Sequence, residues 1–161
     1  MADFQAHINQ AKKNLAILAV LNKEINTAWD WQVTTAYYTA VHIMNAHIAK
    51  VANLHYSTHD KLKNALYKPT SPAKIDTGIY IDYGILENLS RRARYLCNDV
   101  NAVSSNTAHL TFDVHLKRSL QKLDSIMTYM SKKHSIEFPL TEIDCIEIKS
   151  ISFRYFKYAK H

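Results

Sequence analysis

The sequence predicts an all-α protein: an up-and-down bundle of four to five helices with a short β-like extension at its carboxyl end. Three observations carry this. The 161 residues include only 2 glycines and 3 prolines, so helix breakers are scarce. Apolar residues recur at helical spacing through most of the chain. Only after Ser135 does the pattern change to β-branched and aromatic residues in alternation. A hydrophobic content of 47% against 21% charged residues is that of a folded domain with a real core.

The first helix follows Asp3, a capping residue, with Phe4, Ile8, Ala11, Leu15 and Leu18 at helical spacing. It ends near Asn26 and Thr27. A second, long helix starts at Thr27 or Asp30 and runs through Val51. It carries two stripes: Val33, Tyr37, Ala40, Val41, Met44 and Ile48 on one side, and Trp31, Thr35, Tyr38, His42, Asn45 and Ala49 on another. Two such stripes suit a central helix, or one that faces a partner subunit.

Ser57 is positioned to cap a short third helix over "THDKLKNAL", which the loop with Pro69 and Pro72 closes. A fourth helix follows Gly78, with Leu86, Leu89, Ala93, Leu96 and Val100 on one face and Gly84 as a local cost. The polar stretch 98–113 reads as a loop, long enough to suggest a function or flexibility. Asp113 caps a fifth helix with Leu116, Leu120, Leu123, Met127 and Met130. In "CIEIKSISFRYFKY" the alternation changes parity near Lys149 and Ser150, which predicts a strand interrupted by a bulge or turn. Residues 1–135 then form the bundle and 136–161 an extension of the same domain.

Charge and motifs narrow the function. The formal charge is +6 and the pI about 9.2, which favours an acidic partner such as nucleic acid. No apolar run approaches the roughly 20 residues that span a bilayer, and no secretory signal is evident, so a cytoplasmic protein without a membrane partner is expected. Cys97 and Cys145 read as reduced thiols. There is no glycine-rich phosphate loop, no Ser/His/Asp set and no paired carboxylates, so the usual nucleotide-binding and hydrolase patterns are missing.

Four constellations remain. His42, in the second stripe, reads first as a buried hydrogen-bonded residue; alternatively it titrates near neutrality and acts as a base. His55 and His59 have the i, i+4 spacing of a zinc pair, but a helix starting between them breaks the geometry and no further ligands join them, so neither a metal nor a cofactor is expected. Arg91, Arg94 and Asn98 fall on one flank of the fourth helix, where forked guanidinium groups can hold a phosphate; the plainer reading is a solvated basic face with Glu87 paired to Arg91. The terminal "SISFRYFKYAKH" interleaves aromatic and basic residues, as a nucleic-acid surface or a lysine-guarded edge strand would.

Taken together, "DWQVTTAYYTAVHIMNAHIAK", "HYSTHDKLKNAL" and "IYIDYGILENLSRRARY" resemble the HEPN superfamily, helical nucleotide-binding domains of higher eukaryotes and prokaryotes. The similarity covers about residues 28–98. It implies a helical bundle that forms homodimers and acts in toxin–antitoxin, defence or RNA-related systems, often beside a nucleotidyltransferase-like protein partner. Active members are metal-independent endoribonucleases that use an Arg followed four to six positions later by a His. Here no His follows Arg91, Arg92 or Arg94 at that spacing. The resemblance therefore implies RNA or partner binding without the usual ribonuclease motif, with Arg94 as the phosphate-facing residue. A rearranged endoribonuclease site pairing Arg94 with His59 or His42 is the alternative, and a purely protein-binding scaffold a third.

Overall fold

The computed structural model describes residues 3–95 and 112–160. Within them the chain forms five helices: α1 (Phe4–Glu24), α2 (Trp29–Ala52), α3 (His59–Tyr67), α4 (Thr77–Tyr95) and α5 (Phe112–His134). Two short strands follow, β1 (Thr141–Ile143) and β2 (Phe156–Tyr158), separated by a 3-10 turn over Ile146–Ile148. This is the expected helical bundle with a short β extension.

Local chemistry explains most helix ends. The Ala6 N–H donates to Asp3 Oδ1 at 2.7 Å, satisfying one of the donors that a helix start leaves open. α2 starts after Ala28 without a side-chain cap, and its first turn carries Asp30, whose charge suits the positive end of the helix dipole. It stops at Asn53, in the left-handed conformation with φ 53°, which asparagine tolerates. Asp76 caps α4 by accepting from the Gly78 N–H at 2.8 Å.

Three expected details are corrected. The N-cap of α3 is Thr58 rather than Ser57, and neither provides a side-chain capping bond; the helix begins one residue later and carries Asp60 in its first turn. The stretch after Cys145 is not one interrupted strand. Ile146–Ile148 winds into a 3-10 turn that buries Ile148 and exposes Ile146, and only Phe156–Tyr158 is extended. The parity change near Lys149 marks this turn. α5 already runs from Phe112, so Asp113 lies within its first turn and is not its N-cap; residues 96–111, with Leu96, Cys97, Asn98, Val100 and most of the expected loop, lie outside the described residues.

α2 is the central helix, packed against α1, α3, α4 and α5. Val33, Ala36, Tyr37, Ala40, Ile43, Met44 and Ile48 are buried in one core with Leu15, Leu18, Leu86, Leu120 and Met127. Of its second stripe only Asn45 is buried; Trp31 and Tyr38 stand in solvent. β1 and β2 pair in parallel, Thr141 opposite Phe156, so the chain must cross over between them, and the 3-10 turn lies in that crossover.

The extension is tied to the bundle by two polar anchors. Buried Asn22 accepts the Asp144 N–H at 2.7 Å and donates to Gln32 Oε1 at 3.0 Å. Asp124 on α5 accepts the Tyr155 N–H at 2.8 Å.

Candidate functional site

α3 and α4 enclose an open cleft of about 490 Å³, lined by His59, Asp60, Glu87, Arg91 and Arg94. His59 is the first residue of α3, delivered there by the turn after Asn53. Arg91 and Arg94 lie three apart on the last turns of α4 and so share a flank. Glu87 is held by Lys63 of α3 in an ion pair of 2.8 Å. The cleft lining thus sets two arginines beside two carboxylates, Asp60 and Glu87, the latter held by Lys63.

The side chains are positioned from behind. Arg94 Nε donates to the Ser90 carbonyl at 3.4 Å, and its guanidinium stands 5.9 Å from the centre of the Tyr38 ring. His59 Nδ1 lies 2.9 Å from the hydroxyl of Tyr37, which in turn lies 3.4 Å from the hydroxyl of Tyr83. Both tyrosines are fully buried, and burial pushes both phenols well above their ordinary range, so each keeps its proton. Nδ1 is thus turned to the buried Tyr37, while the ring lines the cleft.

Two arrangements satisfy this chain. If Tyr83 donates to Tyr37 and Tyr37 to Nδ1, the histidine carries its proton on Nε2. If Nδ1–H donates to Tyr37 and Tyr37 to Tyr83, Nε2 carries the lone pair.

His42 belongs elsewhere. Its Nδ1 lies 3.1 Å from Nδ1 of His7, whose Nε2 lies 3.1 Å from Nδ1 of His55. This three-ring chain joins α1, α2 and the segment leading to α3. Burial, then the neighbouring His42 and His55, push His7 down to about 4; burial likewise lowers His42. The two nitrogens of His7 face different partners, so the three rings do not converge on one point. Among the described residues no group of three or more His, Cys, Asp or Glu is placed to hold a metal ion. His55 and His59, four apart in sequence, serve His7 and Tyr37 respectively.

The exposed face of His42 instead lines a shallow groove between α1 and α2, with Asn14, Ile17, Trp31, Thr34, Thr35 and Tyr38. Thus His59, Arg91 and Arg94 share one cleft, His42 lines a neighbouring groove, and Asn98 lies outside the described residues. Sequence reasoning placed Tyr37 only as an apolar core residue. Its signal was the phenol itself: a tyrosine on a core stripe needs a partner for its hydroxyl. His7 left a comparable trace, sitting four residues before Ala11 on the buried face of α1.

Comparison with protein-family models, with curated proteins and with solved structures finds no significant match. No helix among the described residues is long and apolar enough to cross a membrane.

Proposed function

We propose that the chain binds RNA through the α3–α4 cleft, with Arg91 and Arg94 on phosphate oxygens and His59 beside them. The supporting observation is the meeting of His59 with both arginines in one open cleft. The overall charge of +6 and the HEPN resemblance point the same way. Arginine is suited to the task because its planar fork matches two phosphate oxygens. Fluorescence anisotropy of a labelled single-stranded RNA tests the reading. Affinity should fall steeply as salt is raised, and Arg94→Ala should weaken binding about tenfold or more. A protein that binds no RNA at low salt, or an Arg94→Ala variant that binds as the wild type, overturns it.

A second reading is favoured by the hold of Tyr37 on His59: a metal-independent endoribonuclease with a rearranged site. In the tautomer with bare Nε2, His59 takes the proton of a ribose 2′-hydroxyl. The 2′-oxygen bonds to phosphorus, the bond from phosphorus to the 5′-oxygen breaks, and the leaving oxygen takes a proton from solvent water, while His59 later gives up its own to solvent. Arg94 stabilises the charge that grows on the phosphoryl oxygens. The expected products are a 2′,3′-cyclic phosphate and a free 5′-hydroxyl, formed in the presence of chelator. Equal cleavage by wild type, Arg94→Ala and His59→Ala would identify a contaminant and end this reading.

By the same resemblance the protein acts as a homodimer, with a nucleotidyltransferase-like protein as a further partner. Light scattering that gives a monomer over a wide concentration range removes the dimer.

A further inference from the structure

We propose that the groove between α1 and α2 holds a nucleobase of the RNA strand whose phosphate occupies the adjoining α3–α4 cleft. The proposal rests on the RNA reading above and adds to it a base subsite built on Trp31 and Tyr38.

Tyr38 joins the two places. Its ring lines the groove, and the same ring stands 5.9 Å from the guanidinium of Arg94, which lines the cleft. A strand that sets a phosphate on Arg94 therefore has its next base beside an exposed aromatic pair. Trp31 is 61% exposed and Tyr38 37%, with Ile17 also open to solvent across the groove. Unstacked bases of single-stranded RNA settle on such rings. The volume of about 280 Å³ lies just below the roughly 300 Å³ where pockets for drug-sized ligands begin, so one ring system fits and an extended ligand does not.

The groove wall is almost wholly apolar, as a site for the face of a base requires. Thr35 and Thr39 turn their hydroxyls back onto the carbonyls of Trp31 and Thr35. Thr34 lines the groove, but its Oγ1 is shielded from solvent, so the side chain contributes wall and not a contact to the base. His42 closes one end of the groove, with Nδ1 turned to His7.

Two short probes of equal length separate the claims: single-stranded oligoadenylate and an abasic ribose–phosphate chain. Oligoadenylate should quench tryptophan emission and the abasic chain should not. The quench should vanish in Trp31→Phe, where Trp29 remains. Trp31→Ala should weaken oligoadenylate binding about tenfold while leaving the abasic chain unchanged, the effect expected of one lost stacking contact. Arg94→Ala should weaken both probes. If Trp31→Ala binds both probes as the wild type does while Arg94→Ala loses them, the base subsite is wrong and the phosphate reading survives. If neither probe binds at low salt, both readings fall. A shift of Trp31 emission with protein concentration in the absence of RNA would assign the groove to a second copy of the chain and overturn the proposal.

Discussion

The hydroxyl of Tyr37 lies 2.9 Å from Nδ1 of His59, and so a residue of the buried core sets the orientation of a residue of the cleft. Tyr37→Phe removes that contact and leaves the buried hydroxyl of Tyr83 without the partner it has at 3.4 Å. An orphaned buried hydroxyl costs about 1–3 kcal/mol, so the variant should fold with reduced stability. Nitrogen-15 NMR of the imidazole should show His59 losing its tautomer preference. Tyr83→Phe, which keeps the direct partner, should change the tautomer less. If the His59 signals are the same in all three proteins, Tyr37 is a packing residue only.

Stability should fall on acidification between about pH 6.5 and pH 4. His7 and His47 are both lowered from 6.5 to about 4, burial being the main cause. The folded state thus resists a proton that the unfolded chain accepts. Their stabilisation is complete above pH 6.5, is lost as pH falls towards 4, and changes little below that. His7 faces His42, His55 and Asp3. His47 donates Nε2–H to the Ala73 carbonyl at 3.1 Å and accepts from His134 at 2.8 Å, with Lys133 nearby. A loss of roughly 2 kcal/mol per ring is expected, since one pKa unit is about 1.4 kcal/mol and part of the shift is relieved by relaxation. Urea unfolding at several pH values measures it, and His7→Gln should flatten the slope. An unchanged midpoint between pH 7 and pH 5 would contradict the prediction.

Asn22→Ala should loosen the carboxyl-terminal extension more than the helices. The side chain is buried between α1, α2 and the strand segment, and it satisfies both the Asp144 N–H and the Gln32 amide oxygen. Alanine leaves both unpaired, at a cost of about 2–4 kcal/mol. Hydrogen exchange should show the Asp144 amide, together with the β1 and β2 amides, opening faster than those of α2. A uniform loss of protection across the protein would mean that the extension and the bundle unfold as one unit.

What could be read from the chain, and what could not, divides by range. The periodicity of Ile8, Ala11, Leu15 and Leu18, the Asp3 cap and the scarcity of glycine are local, and local energies place α1 within a residue of its expected start. The cleft is not local. His59 and Arg94 share a cleft because α2 sets Tyr37 against His59 and Tyr38 against Arg94, and helix crossing angles are set by packing that no single window contains. The same holds for His7, whose partners lie 35 and 48 residues away. In the extension, the β-branched residues of Cys145–Ile148 favoured a strand, but the parallel pairing of Thr141 with Phe156 requires a crossover, and the chain turns there instead.

The two glycines offer a final test, because the structure assigns them opposite behaviour. Gly84 sits inside α4, and a Cβ built on it meets nothing within 4 Å; its φ is negative. Alanine there keeps the helix, fills open space and removes backbone freedom from the unfolded chain, so Gly84→Ala should stabilise by about 0.5–1 kcal/mol. For a protein of this size that raises Tm by about 1–4 °C. Gly78 also has negative φ, but its Cβ would stand 3.0 Å from Oδ1 of Asp76. That oxygen accepts the Gly78 N–H at 2.8 Å and caps the helix. Moving the carboxylate weakens the cap, worth about 1 kcal/mol, and cancels the entropic gain, so Gly78→Ala should be neutral or destabilising. Thermal melts of the two variants decide it: a Gly78→Ala protein that gains as much as Gly84→Ala would show that the Asp76 cap contributes nothing.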